Sequence, residues 1–449
     1  MSFPNYAEYK DSGVEWLGEV PEHWGIQKLK RIATFSGGGT PSRDNLAFWN
    51  GDIPWISPKD MKSEEITTAE ECITTLGLHS STTNIVKPNT VIIVVRSGIL
   101  RHTIPVAITK TEVALNQDMK AIHLDAGSCL AKFFLRWVQG LNGHLLLSWG
   151  KQGATVESIE HEYLSNSIFP LPSIKEQSAI AAFLDRETAK IDALVAEQEK
   201  LIELLKEKRQ AVISHAVTKG LEPNVPMKDS GLEWMGEVPE HWSTGYIKKF
   251  AHLESGHTPS RQHPEYWENC TIPWFSLSDV WQIRDGLSRY VSETTERVSH
   301  LGLANSSARL LPKGTVILSR TASVGFSAIM GCDMATTQDF ANWICKENLI
   351  PEFLLYVFKG MKSEFDRLMM GSTHKTIYMP DISKFAMGLP PIPEQISIIN
   401  FLDQETQKAE KLIEESQRAI DLLKERRSVL ISAAVTGKID VRGLAEATQ

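Results

Sequence analysis

Two stretches of the chain repeat a position every three or four residues, and most of these positions are apolar. In the first they are Leu184, Glu187, Ile191, Leu194, Gln198, Leu201, Leu205, Lys208 and Val212. In the second they are Leu402, Glu405, Ala409, Leu412, Ser416, Ala419, Leu423, Arg426 and Leu430. The apolar members predict a heptad seam, imperfect at several places, along each of two long helices. About 40 residues at roughly 1.5 Å each make a rod of about 60 Å. Elsewhere the pattern is shorter. The runs TVIIVV at 90–95 and TVIL at 315–318 follow Pro-Asn and Pro-Lys-Gly turns and predict buried strands. Ile53-Pro54-Trp55 and Ile272-Pro273-Trp274 predict edge strands or strand starts, because proline removes a ladder donor. Residues 131–147 and 351–369 have helical composition and spacing. Strands followed by a helix in one unit give an α+β class.

The pattern occurs twice because the chain does. KDSGVEWLGEVPEHW at 10–24 returns as KDSGLEWMGEVPEHW at 228–242. At the same offset Thr40-Pro41-Ser42-Arg43 returns as Thr258-Pro259-Ser260-Arg261, and Glu176-Gln177 as Glu394-Gln395. Phe183-Leu184-Asp185 returns as Phe401-Leu402-Asp403, and LLKEKRQAVISHAVT as LLKERRSVLISAAVT. A constant offset implies tandem duplication of one large unit. The expected organisation is a mixed domain at 1–173, a spacer helix at 174–218, a second mixed domain at 219–391, and a second helix with a tail at 392–449. The helices are expected to pair as an antiparallel coiled coil about a pseudo-two-fold axis. The alternative is a surface helix packed on each domain separately. Each WxGEVPEHW segment, too short to bury its own tryptophans, is expected to dock on the same fold.

Composition narrows the class. The 449 residues allow each half its own core. Five cysteines, none in a CxxC, fit reduced cytosolic thiols without a zinc site or disulfide framework. The opening MSFPNYAEYKDSG has no secretory pattern, and the aliphatic run at 91–95 is far short of a membrane span. The expected protein is soluble and cytoplasmic. Its net charge of −8 is unevenly distributed: residues 28–151 carry fourteen Lys/Arg against ten Asp/Glu. Local patches rather than the total govern phosphate binding, so a nucleic-acid partner is permitted.

Catalytic motifs are missing. There is no GxxxxGK[ST] loop, HExxH, GxSxG or zinc-spaced His/Cys cluster, and no Asn/Asp-Pro-Pro-aromatic segment. Gly37-Gly38-Gly39 lacks a glycine-rich counterpart in Glu254-Ser255-Gly256-His257 and reads as a mobile turn. No catalytic residue, metal site or cofactor is expected in this chain. What remains is a set of polar and basic residues on turns, at corresponding places in the two halves. Arg43 and Arg261 follow Thr-Pro-Ser; Arg96 and Arg320 end strands, with Arg101 in the turn after Arg96. Gln117 and Gln338 each precede an aspartate. Lys151, Gln152 and Thr155 correspond to a segment holding Thr373, His374 and Lys375. Arginine suits guanine, glutamine suits adenine, and lysine and threonine suit phosphates. Arg43 and Arg261 either reach DNA or brace the turns before Trp49 and Trp267.

The twofold repeat, the KDSGxEWxGEVPEHW openings, the TPSR…W…IPW run, the LPxxxEQ segment and the LLKExR…IS.AVT helix resemble the specificity subunit of type I restriction-modification systems. The resemblance covers both halves. It implies two target-recognition domains that read the two parts of a split, asymmetric double-stranded DNA sequence. It implies antiparallel helices that set the gap and dock two modification subunits, which bind S-adenosylmethionine and methylate adenine. Two restriction subunits using ATP and Mg would join them. The chain itself is then non-catalytic. The alternative is a two-lobed protein-assembly scaffold that does not touch nucleic acid.

Overall fold

The computed structural model describes residues 3–151, 153, 155–284, 286, 288–369 and 376–444. It resolves into two compact units, one of residues 1–198 with 418–449 and one of residues 199–417. Each unit holds one mixed domain and half of each long helix, Ile174–Lys219 and Ile392–Val435.

In the first unit a five-stranded sheet runs in the order Ala33–Gly37, Met119–Leu124, Val91–Val94, Val106–Thr109, Glu65–Ile66. Only Glu65–Ile66 pairs in parallel. Val91–Val94 is buried at every position, which is why it reads as a continuous aliphatic run rather than an alternation. The second unit repeats the order with Ala251–Ser255, Phe340–Cys345, Val316–Ser319, Ser327–Met330 and Tyr290–Val291. A three-stranded sheet accompanies each. Trp49–Ile56 lies between Ala114–Leu115 and Cys72–Ile73, and Ile272–Phe275 lies between Ala335–Thr336 and Glu296–Val298. These proline-bearing strands are therefore central, not edge strands; Ile272-Pro273 does start its strand, whereas Pro54 lies inside Trp49–Ile56. Pro54 is tolerated because Trp55 donates toward the Cys72–Ile73 side, through Glu71. The missing donor of Pro54 thus faces the other side, where pairing begins only at Trp55.

The helical stretch expected at 131–147 is two helices, Ala131–Gly140 and Asn142–Trp149. Its counterpart is Pro351–Gly360 and Lys362–Met369. The break follows a glycine that permits close approach to a long helix. A Cβ on Gly140 would lie 2.9 Å from the Ser432 nitrogen, and one on Gly360 would lie 2.7 Å from Val217 Cγ2.

The repeated Glu-Gln pair explains how each opening segment docks. Glu176 accepts from Trp24 Nε1 at 3.0 Å and contacts His23 Nε2 at 2.9 Å; Glu394 repeats this with Trp242 and His241 at 3.0 and 2.8 Å. Gln177 is buried and accepts from the Leu130 N–H while donating to Ser128 and Pro172 carbonyls. Gln395 does the same with Ile350, Asn348 and Pro390. Each pair ties the start of a long helix to the opening segment and to the turn before the domain's helix.

Within each unit the two helix halves run antiparallel. In the first, Ile180, Leu184 and Ile191 share a core with Leu430, Ile431 and Val435, while Asp192 takes Arg427 Nε at 2.8 Å. In the second, Ile213 and Val217 share a core with Ile398 and Leu402, and Arg209 pairs with Glu410.

The seam lies one residue away from the expected one at every second position. Leu184, Ile191, Leu402 and Leu430 are buried, and Leu205, Val212 and Leu423 are half-buried, as the pattern predicts. Leu194, Leu201 and Leu412 are exposed at 47%, 41% and 48%, whereas Ile202 and Ile420 are buried and Val195 and Ile413 half-buried. The buried stripe thus uses 188, 195, 202 and 209 in place of 187, 194, 201 and 208. Both phases keep alternating three-and-four spacing, and leucine's apolarity favoured the wrong one.

Candidate nucleic-acid interface

The strand registers collect the polar turns at one end of each five-stranded sheet. In the first unit Gly37 lies opposite Lys120, Met119 opposite Val94, and Ile93 opposite Val106. The segments leaving or entering at those residues carry Arg43, Arg96, Arg101 and Gln117. Bridges from Arg96 to Ser158 and from Gly150 to Ile159 bring Lys151 to the same rim. In the second unit Ser255 lies opposite Ala341, Ser319 opposite Phe340, and Leu318 opposite Ser327. That rim carries Arg261, Arg320 and Gln338.

Several of these side chains have structural duties. Arg43 sits 3.9 Å from the Trp49 ring and pairs with Glu71 at 2.8 Å. Arg261 sits 3.9 Å from the Trp267 ring and pairs with Glu296 at 2.5 Å. Both arginines thus make the contacts of a brace while staying 53% and 58% exposed. The hydrogen bond from Arg43 holds the Glu71 carboxyl below its ordinary range. Arg320 is also committed, donating from Nε to the Gln338 carbonyl at 2.8 Å and from Nη1 to the Ile377 carbonyl at 3.4 Å. Gln117 and Gln338 each accept from a TPSR-loop threonine, Thr40 in one unit and Thr258, at 2.7 Å, in the other.

The first rim has looser cations. Arg96 contacts Asp118 at 2.6 Å but remains half exposed. Arg101 is 67% exposed, with Glu157 3.3 Å away, and Lys151 is 3.6 Å from Glu160. Solvent-facing pairs of this kind are worth little. Thr155 is exposed. Gln152, Thr373, His374 and Lys375 lie outside the described residues.

Sequence reasoning missed some participants. Gly38 does have a counterpart, Gly256, and both are held tightly against neighbouring backbone. A Cβ on Gly38 would fall 2.1 Å from the Asn116 carbonyl oxygen, and one on Gly256 2.1 Å from that of Thr337. Each glycine lets the TPSR loop cross closely over the strand beside the glutamine. Lys120 is another. Its Nζ lies 3.2 Å from His161 Nδ1 beside the first rim. Burial lowers the pKa of both groups, and the Lys120 charge lowers that of His161 further. A lysine inside the strand MKAIHL was the available sign. Among the described residues no His/Cys/Asp/Glu cluster could hold a metal ion. The long helices also expose Leu194, Leu201, Leu204, Leu412, Leu422 and Val429 to solvent.

The chain resembles known proteins over most of its length. The family model for the type I restriction modification DNA specificity domain matches residues 21–204 and 239–421. The EcoR124I/EcoR124II specificity subunit of Escherichia coli is 36% identical over 179 residues, 40% of this chain and 42% of that one. The MjaIX specificity subunit of Methanocaldococcus jannaschii is 24% identical over 98% of both chains. Among solved structures, one from work on assembly and conformational transition of the type I R-M system superposes with a TM-score of 0.70 at 16% identity, over 93% of this chain and 98% of that one. The HsdS subunit of Thermoanaerobacter tengcongensis gives 0.53 at 16% identity with the same coverage. At these identities the structures support the fold alone.

Proposed function

The chain belongs to the type I restriction-modification DNA specificity family, and we propose that it is the non-catalytic subunit that chooses the DNA sequence for such a complex. Each unit reads one part of a split double-stranded target through the rim of its five-stranded sheet. The observation that carries this reading is a duplicated frame with unlike rims. Glu176 and Glu394, Gln177 and Gln395, and Arg43 and Arg261 make matching contacts. The turns after the central strands differ: Arg96 and Arg101 are solvent-facing in one, while Arg320 is tied to backbone in the other. Unlike donors at equivalent places suit unlike base edges.

Methylation and cleavage belong to partners in this reading. Two modification subunits, bearing S-adenosylmethionine, dock on the exposed leucines of the long helices, where uncovered apolar side chains invite a protein surface. Two restriction subunits bring ATP and Mg. The first long helix, which alone joins one mixed domain to the next in sequence, fixes the gap between half-sites. The complex acts in the cytoplasm. Sequencing methylated adenines in a host carrying this chain and its modification partner tests the proposal. A split motif that vanishes when this chain is deleted is the expected result; a motif that persists contradicts it.

A further inference from the structure

Among the described residues, those other than glycine with a positive φ are Asn50, Asn89, Asn269 and Ala322. Asparagine tolerates that conformation through its short polar side chain, whereas alanine only crowds its own backbone. At a φ of 58°, Ala322 is the centre of a γ-turn in which the Ser323 N–H donates to the Thr321 carbonyl at 2.5 Å. The turn is anchored on each flank. The Arg320 N–H donates to the Asp339 carbonyl at 2.9 Å, the Gly325 N–H to the Ser319 carbonyl at 3.0 Å, and the Ile377 N–H to the Arg320 carbonyl at 2.9 Å. Its tip, Ala322, is exposed at the rim of the second sheet. The corresponding turn of the first unit, Gly98–Arg101, is a 3-10 helix without a positive φ.

Glycine would take this conformation without the clash. What alanine adds is one exposed methyl group, held out by a turn that its neighbours over-determine. Strain kept at a site's edge points to use there. We propose that the Ala322 methyl reads a base in the second half-site, by apolar contact with the 5-methyl group of a thymine in the major groove. This rests on the DNA reading proposed above and assigns part of its specificity to one atom.

The test uses the chain assembled with its modification partner and duplexes carrying the methylome-defined target. Each thymine of the second half-site is replaced in turn by deoxyuridine, which lacks only the methyl. At one position the unaltered protein should lose about fourfold in affinity, the worth of one buried methyl group. Ala322→Gly should bind the thymine and uracil duplexes equally, with undiminished thermal stability. Ala322→Asn, which suits the positive φ but replaces the methyl by a polar group, should also lose the preference. Equal binding of every uracil duplex by the unaltered protein would overturn the proposal. So would a second half-site without thymine, or a preference retained in both variants. Failure of the unaltered protein to prefer its target over unrelated DNA would instead overturn the recognition reading itself, and the proposal with it.

Discussion

Asp185 and Asp403 hold equivalent places in the two long helices, yet each receives its guanidinium from a different element. Asp185 is met by Arg136, from the domain's own helix, at 2.6 Å. Asp403 is met by Arg289, from the segment before an edge strand, while Tyr356 donates its hydroxyl to it at 2.6 Å from the helix. Glu64 precedes the corresponding edge strand of the first unit and binds Arg136 at 2.7 Å. The frame's carboxylate is constant; each domain brings its own cation.

Breaking that contact should be costly. Arg136 is only 8% exposed, so Arg136→Ala leaves Asp185 and Glu64 close together without their main cation. The expected loss is about 3–5 kcal/mol in urea unfolding of the first unit. Arg136→Tyr combined with Glu64→Arg, which imitates the second unit, should recover part of it. Recovery stays incomplete because Arg427, 3.8 Å from Glu64, would face a new positive charge. A double variant no better than Arg136→Tyr alone would show that the swap is not a compensation.

The same cluster sets an acid response. Burial by itself would raise the pKa of Glu64 and of Asp185. Hydrogen bonds from Gln139 and Arg136 to Glu64, and from Arg136 and Lys132 to Asp185, outweigh it and leave both lowered. A lowered folded-state pKa gives stability that is present above the unfolded value, about 4, and lost as pH falls through the folded value. The first unit should therefore lose stability below about pH 4, and Arg136→Met should flatten that decline. A decline of equal steepness in the variant would place the titrating groups elsewhere.

Gln177→Ala and Gln395→Ala should each loosen one unit and spare the other. Each glutamine is fully buried with three backbone partners. Losing them should cost about 2–4 kcal/mol. Hydrogen exchange at Leu130 or Ile350 reads the effect locally, and faster exchange in both units from one substitution would contradict it.

Much of this was legible in the sequence because duplication prints the frame twice. The Glu-Gln pairs, the docked tryptophans and the long helices stood out as repeats before any contact was known. The seam phase did not, since Leu194 and Ile202 satisfy the same spacing and only packing decides between their stripes. The exchange of Arg136 for Arg289 was also hidden: its partners lie far apart in sequence, and the two positions look unrelated until the sheets are aligned. Pro54 misled because the missing donor matters only on a side where a partner strand needs it. The rim residues were found by type and place, but whether an arginine is free or a brace depends on neighbours such as Glu71.

The first long helix should act as a ruler. Repeating the four residues Glu203 to Lys206 lengthens it by about 6 Å and just over one full turn. At about 3.4 Å per base pair, the gap between half-sites should grow by one or two pairs with both half-sites unchanged. An assembled variant that methylates only the original spacing would refute this.

Each unit should read its own half of one split target, and methylome sequencing of two variants is the decisive measurement. Arg96→Ala with Arg101→Ala alters only the first rim, and Gln338→Ala alters only the second. The first variant should relax the sequence at one half-site and the second at the other, with the gap fixed in both. If both variants relax the same half-site, or each relaxes both halves alike, the division of the target between the two units is wrong.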